Sequence, residues 1–314
     1  MMMTLCGCKP LLMTTMESLF HQPLTTNDKV VVVMGATGTG KSKLAIDIAT
    51  HFKPAEIVNS DKIQVFKGLN ITTNKVTEEE SRGVPHHLLG FIDPNAQDFT
   101  ATRFCEEATR AVDSIVERDA LPVIAGGSNS FIEQLVNQHE QFRLRYKCCF
   151  LWVDVSLPVL HSSLEDRVDR MVESGQVNEV REFFDPSGDY SRGIRRAIGV
   201  PEFHEFLRAE SMGADEATKK RLLEDAIATI KVNNCKLANR QLHKIQRLHA
   251  MWKRSMHRLD ATEAFLSKEE EAWEDHVVSK ARRIVQRFLY EEAHHQHVPP
   301  PLVVAPTAMA AVTH

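Results

Sequence analysis

Gly35, Ala36, Thr37, Gly38, Thr39, Gly40, Lys41 and Ser42 spell G-x-x-x-x-G-K-S, directly after a run of four valines and a methionine. Glycines let consecutive backbone N–H groups curl round phosphate oxygens, the lysine adds a point charge, and a hydroxyl just inside the next helix can reach Mg²⁺. The flanks supply the required context, a β-branched strand over residues 30–34 and apolar residues at helical spacing from Lys43 to Ala49. The pattern predicts a grip on a phosphorylated ligand.

Three further segments carry chemistry. Asn59-Ser60-Asp61 sets a carboxylate just after a second strand, at the edge of an open α/β sheet where ligands bind; the same side chain could instead cap the next helix. Ala125-Gly126-Gly127-Ser128 ends another strand in small residues and a hydroxyl at a helix start, a second set of backbone donors for an anion. Arg192, Arg195 and Arg196 lie in a basic cluster beside Gly193 and Gly199, suited to clamping a multiply charged group.

Strands expected over residues 30–34, 55–59, 121–125 and 149–155 must position these groups. They alternate with helices expected over 41–52, 100–118, 128–137, 157–174 and 217–256. That alternation predicts the α/β class: a P-loop NTPase-like parallel sheet flanked by helices, with a smaller helical insertion domain. The expected divisions are a leader (1–27), a P-loop core (28–156), a charge-rich helical insertion able to close over the site (157–220), C-terminal helices packing back on the core (221–292) and a disordered tail (293–314). The leader, rich in Met, Leu and Thr with one acid, reads as an organellar transit peptide or an unstructured lead-in, which makes the plastid the expected location and the cytoplasm the alternative.

The 314 residues carry a formal net charge of -4, which gives no global electrostatic case for nucleic acid. Six cysteines without C-x-x-C pairing predict reduced thiols and no disulfides. No apolar run approaches the length of a membrane span, and the histidines after His294 read as a solvated tail.

The ordered string GATGTGKS, NSDKIQVFKGL, GVPHHLLG, GGSNSF and RGIRRAIGVPEF resembles the isopentenyltransferases over roughly residues 29–252, and most of all the plant adenylate isopentenyltransferases that begin cytokinin synthesis. The resemblance implies that the P-loop holds the diphosphate of dimethylallyl diphosphate rather than a nucleoside triphosphate. It gives Gly35, Ala36, Gly38, Thr39, Gly40, Lys41, Ser42, Ser128 and Arg196 to that diphosphate, with Ser42 acting through Mg²⁺. It also makes Asp61 the general base and Thr37 the hydroxyl that shares the adenine amine. The implied acceptor is ADP or ATP, with AMP weaker, and no protein partner is implied.

Two rival readings remain. A tRNA dimethylallyltransferase shares every motif, and residues 219–258 hold eleven Lys or Arg against two acids. That helix could grip tRNA phosphates, or Lys231, Lys236 and Arg240 could hold the phosphate tail of a free nucleotide. The negative net charge and the lack of any cysteine after Cys235 for a zinc finger favour the free nucleotide. A P-loop kinase would use Arg167 or Arg170 from a helical lid and Asp154 as a Mg²⁺ ligand. A guanine-nucleotide switch is disfavoured, because Asn74-Lys75-Val76-Thr77 ends in the wrong residue.

Overall fold

The computed structural model describes Asp28 to His294, so the leader and all but the start of the tail lie outside the described residues. Six strands form one parallel sheet: β1 (Asp28–Gly35), β2 (Ala55–Asn59), β3 (His86–His87), β4 (Leu121–Ala125), β5 (Tyr146–Asp154) and β6 (Met256–Asp260), in the order β3-β2-β4-β1-β5-β6. Because side chains alternate across a strand, β1 sends Val30, Val32 and Met34 into one core layer and Val31 and Val33 into the other. Both faces of the sheet are therefore buried, and the P-loop leaves its middle.

Between β1 and β5 run α1 (Lys41–His51), α2 (Glu78–Ser81), α3 (Ala101–Glu117), α4 (Asn129–Asn137) and α5 (Glu140–Arg145). The crossover from β5 to β6 holds the insertion, α6 (Leu157–Glu173), α7 (Gln176–Phe183), α8 (His204–Ser211) and the 36-residue α9 (Glu216–Met251). α10 (Thr262–Ser267), α11 (Glu270–Trp273) and α12 (Ser279–His294) then return to the layer that α1 occupies. β3 and β6 were not expected. Both are edge strands, two and five residues long, and β6 turns only Met256 and Leu259 inward, so neither carries an apolar run. The C-terminal segment thus completes the sheet as well as covering it.

The insertion is fastened to the core. The Glu179 carboxylate accepts hydrogen bonds from the backbone N–H groups of Ile71 (3.0 Å) and Thr72 (2.8 Å) and from the Thr72 hydroxyl (2.7 Å). Asp98 accepts the Gly193 N–H at 2.7 Å, and Glu202 joins the Gly199 N–H to Asn233 of α9, each at 2.8 Å. The arginine cluster is therefore a shaped loop, in 3₁₀ conformation from Gly193 to Arg196.

Candidate active site

A cavity of about 660 Å³ opens at the carboxyl edge of the sheet; Thr37, Gly38, Gly40, Lys41 and Ser42 form one wall, Asp61 and Lys62 another, and Gly126, Gly127, Arg167, Arg196 and Arg240 lie around them. The P-loop turns through Gly38 and Gly40 at positive φ (81° and 85°), where L side chains are strained. At Gly40 a second constraint applies: a Cβ would lie 2.6 Å from the Trp273 ring, which backs the loop from α11. Trp273 is itself fixed by its indole N–H on Asp47 (2.9 Å), and Asp47 also receives Arg82 at 2.8 Å.

Lys41 is buried and donates to the Ala36 carbonyl at 2.7 Å. Burial brings its ammonium down to about 8, Asp61 opposing the shift and Arg167 adding to it. Arg167 of α6 reaches Asn234 Oδ1 at 3.0 Å and the Thr37 hydroxyl at 3.4 Å, with its Nε enclosed and unpaired. Burial lowers Arg167 to about 10. Lys41 and Arg167 therefore stand together beside the P-loop with no carboxylate among the described residues bound to either, an arrangement that an anion between them would stabilise.

Asp61 lines the cavity, and it caps a turn rather than the helix that the sequence reading offered as the alternative. Its Oδ1 accepts the Ile63 N–H (2.9 Å) and the Gln64 N–H (3.3 Å), a turn cap that fixes the carboxylate, while Oδ2 faces Gly127. The Ser128 hydroxyl accepts the Lys62 N–H at 2.9 Å, so it braces the Asp61 loop, and Ser128 is absent from the cavity wall. Gly35, Ala36 and Thr39 are interior to the P-loop, Thr39 donating to the Ala36 carbonyl at 3.0 Å. Ser42 is exposed toward the cavity.

Of the three clustered arginines only Arg196 lines the cavity, 3.4 Å from Asp98; Arg192 pairs with Asp189 at 2.7 Å and Arg195 lies over Phe183. On α9 the structure separates the three expected nucleotide cations. Arg240 lines the cavity, whereas Lys231 is held by Asp169 at 2.7 Å and Lys236, one turn before Arg240, is exposed and does not line the cavity. Six of the eleven cations from 219 to 258, namely Lys219, Arg221, Lys231, Lys244 and Arg247 on α9 and Arg258 on β6, are already in ion pairs, so this stretch is less available to tRNA phosphates than its composition suggests. Asp154 is committed to Arg258 at 2.7 Å, which removes it as the free Mg²⁺ ligand of the kinase reading.

Gln241 escaped the sequence reading. Its Oε1 accepts the Thr37 N–H at 2.7 Å and its Nε2 donates to the Gly127 carbonyl at 2.8 Å, tying P-loop, Asp61 wall and α9 together. A signal was present: Ile230, Ala238, Ile245 and Leu248 form the buried stripe of α9, and Asn234 and Gln241 interrupt it with amides at helical spacing.

Parallel sheet and glycine loop define a P-loop α/β protein, with a carboxylate on the wall of the same cavity. The chain belongs to the IPP transferase family, whose model matches residues 64–143 and 134–248. It is 64% identical over 273 residues to adenylate isopentenyltransferase 5, chloroplastic, of Arabidopsis thaliana, covering 85% of this chain and 82% of that one. It is 54% identical over 289 residues to adenylate isopentenyltransferase 7, mitochondrial, of the same plant, covering 90% and 86%. In fold it is similar to a eukaryotic dimethylallyltransferase acting on tRNA, with a TM-score of 0.72 and 24% identity over 84% of this chain and 80% of that one. A tRNA isopentenylpyrophosphate transferase from Bacillus halodurans gives 0.67 at 24% identity, covering 86% and 100%.

Proposed function

We propose that the protein transfers the dimethylallyl group of dimethylallyl diphosphate to the N6 amino group of ADP or ATP, releasing diphosphate in the first step of cytokinin synthesis, with AMP a poorer acceptor. One observation carries the reading: Asp61 lies in the same cavity as the P-loop and within the electrostatic reach of buried Lys41, so leaving group and proton acceptor meet at one place. The names of the relatives at 64% and 54% identity support the adenylate acceptor.

The adenine amine is a poor nucleophile because its lone pair is delocalised into the ring. A carboxylate accepting its N–H raises electron density on nitrogen as the new bond forms, and Asp61, pinned through Oδ1, presents Oδ2 for that purpose. As the allylic C–O bond breaks, negative charge grows on the diphosphate, where the P-loop N–H groups, Lys41 and Arg167 neutralise it in an enclosed site. Thr37, whose hydroxyl lies beside Arg167, sits where the two substrates meet. As the C–N bond forms, nitrogen gives one proton to Asp61, and diphosphate leaves with the C–O electron pair.

The residues fit Mg²⁺. The Ser42 hydroxyl makes no hydrogen bond to another described residue, and among those residues no group of three or more His, Cys, Asp or Glu forms a metal cage. Such a donor set suits an ion that takes most of its oxygens from diphosphate and water. Ser42 would hold it, and its charge would offset that of the leaving group.

Incubation of the protein with dimethylallyl diphosphate, Mg²⁺ and in turn AMP, ADP, ATP or an adenosine-containing tRNA stem, read by product mass, tests the reaction. The expected result is a dimethylallyl adduct on ADP and ATP; prenylation of the tRNA stem alone would overturn the acceptor, and phosphate transfer without prenylation would overturn the class. We further propose the plastid as the site of action, in line with the chloroplastic name of one relative, against the mitochondrial name of another. A fluorescent protein fused behind residues 1–27 tests it, cytoplasmic or mitochondrial signal being the adverse result.

A further inference from the structure

Gly40 divides two cavities. On one side lies the cavity that holds Asp61; on the other a second one, of about 580 Å³, opens between α6, α10 and α11, and Trp273 lines only that second cavity. The far edge of the Trp273 indole thus meets the P-loop from behind: a Cβ on Gly40 would lie 2.6 Å from its Cη2 and 3.0 Å from its Cζ3. Its N–H is fixed on Asp47 Oδ2 at 2.9 Å, about two turns further along the helix whose start the ring backs, and Asp47 Oδ1 is held by Arg82 at 2.8 Å. Both Asp47 and Trp273 are buried. At the head of α11, Glu270 receives Lys43 at 2.6 and 2.7 Å, and the Lys43 ammonium stands 5.0 Å from the centre of the Trp273 ring. The short helix α11 is therefore stapled to α1 at Lys43 and at Asp47.

The backbone behind which this ring stands cannot hold its own shape. Gly40 is the cap residue of α1, and no side chain caps that end, so the N–H groups of the first turn are left for an anion. Their aim depends on Gly40 keeping its φ of 85°, yet glycine leaves the left-handed region as readily as it enters it. A rigid ring wedged against it removes that freedom without approaching any substrate atom. Resting on the reaction proposed above, we propose that Trp273 is a positioning residue for the prenyl donor: held by Asp47, it keeps Gly40 and the start of α1 in the geometry that binds the diphosphate of dimethylallyl diphosphate. Because Trp273 is absent from the wall that Asp61 shares, its effect reaches the donor through Gly40 and leaves the acceptor untouched.

The test compares wild type with Trp273→Phe, Asp47→Leu and Asp47→Asn by calorimetric titration of inorganic diphosphate with Mg²⁺, and by steady-state kinetics in each substrate with the other saturating. Trp273→Phe keeps an apolar ring but withdraws the far edge of the indole and its N–H; Asp47→Leu removes the acceptor at similar volume. Both should raise Kd for diphosphate and KM for dimethylallyl diphosphate roughly tenfold, the scale of a binding group displaced by a fraction of an ångström, with KM for ADP within about twofold. Asp47→Asn still offers the indole an oxygen and should stay within about threefold of wild type. Unchanged diphosphate affinity with a lowered thermal midpoint would make Trp273 a packing residue only, and equal rises in KM for donor and ADP would make the effect general; either overturns the proposal. Trp273→Phe keeps the position filled and decides the matter alone should Asp47→Leu not fold. Failure of the reaction itself shows separately, as absence of prenylated product in wild type, and the diphosphate titrations still score Trp273 in that event.

Discussion

The inner and outer walls of the cavity hold similar charge by different means. On the inner wall, Lys41 is buried on the carbonyl of its own loop and Arg167 is locked by Asn234, so both cations are positioned before any ligand arrives. On the outer wall Lys62 and Arg240 are exposed, and neither is in an ion pair with another described residue. Preorganised, desolvated charge can follow what changes in a transition state; mobile, hydrated charge can discriminate among bound ligands but loses strength to screening. On the proposed reaction, the inner wall is suited to stabilising charge that develops in the transition state, and the exposed cations to contacts with a bound ligand.

The carboxylate between the walls gives the largest effect. Asp61→Asn keeps the cap to Ile63 and Gln64 through the amide oxygen while removing the base, and kcat should fall by roughly 10²-fold or more with little change in nucleotide KM. Turnover near that of wild type in a mass-based assay would remove Asp61 from its role.

Next comes Arg167. Its loss should appear in kcat, by roughly 2 to 4 kcal/mol as for other preorganised groups at a developing charge, and Arg167→Lys should not rescue it, because a lysine cannot reach Asn234 and Thr37 as one planar fork. If that variant instead raised nucleotide KM at constant kcat, the inner wall would be doing the outer wall's task.

How far each wall was legible in the sequence follows from how local its determinants are. The P-loop, its strand and α1 are contiguous, so glycine spacing and periodicity sufficed, and Asp61 could be placed because β2 delivers it to the sheet edge. β6 was missed because an edge strand with two inward residues has no pattern, and α10 to α12 were expected only as unspecified helices. Arg167 was visible only as a rival's lid residue: its contact with Thr37 spans 130 positions. Trp273 behind Gly40 could not be read at all, since nothing in either segment announces the other. On α9 composition misled, for the charge count ignored which cations the fold would neutralise.

Protonation separates the walls further. Lys41, brought down to about 8 by burial, is charged below that pH in the free protein and neutral above it. Binding of an anion requires the charged form, so kcat/KM for dimethylallyl diphosphate should hold up below pH 8 and decline above it, approaching about tenfold per unit, as protons must be taken up on binding. Lys41→Arg should flatten that decline, whatever its absolute rate. A profile that instead rises from pH 8 to 9.5 would contradict the assignment.

The smallest expected effect concerns the two α9 lysines that sequence reasoning paired with Arg240. Lys231 already spends its charge on Asp169, and Lys236, one turn before Arg240, is exposed and does not line the cavity. Lys236→Ala should leave KM for ADP within about twofold, the range of an exposed charge acting through screened solvent, and Lys231→Ala should trade a surface ion pair worth at most ~1 kcal/mol of stability for no change in acceptor preference. Arg240→Ala, one helical turn beyond Lys236, should raise KM for ADP and ATP well above either. Steady-state kinetics of the three variants with AMP, ADP and ATP ranks them. Were Lys236→Ala to cost as much as Arg240→Ala, with ADP and ATP suffering more than AMP, the phosphate chain would have to run along the exposed face of α9, outside the cavity wall that Arg240 lines.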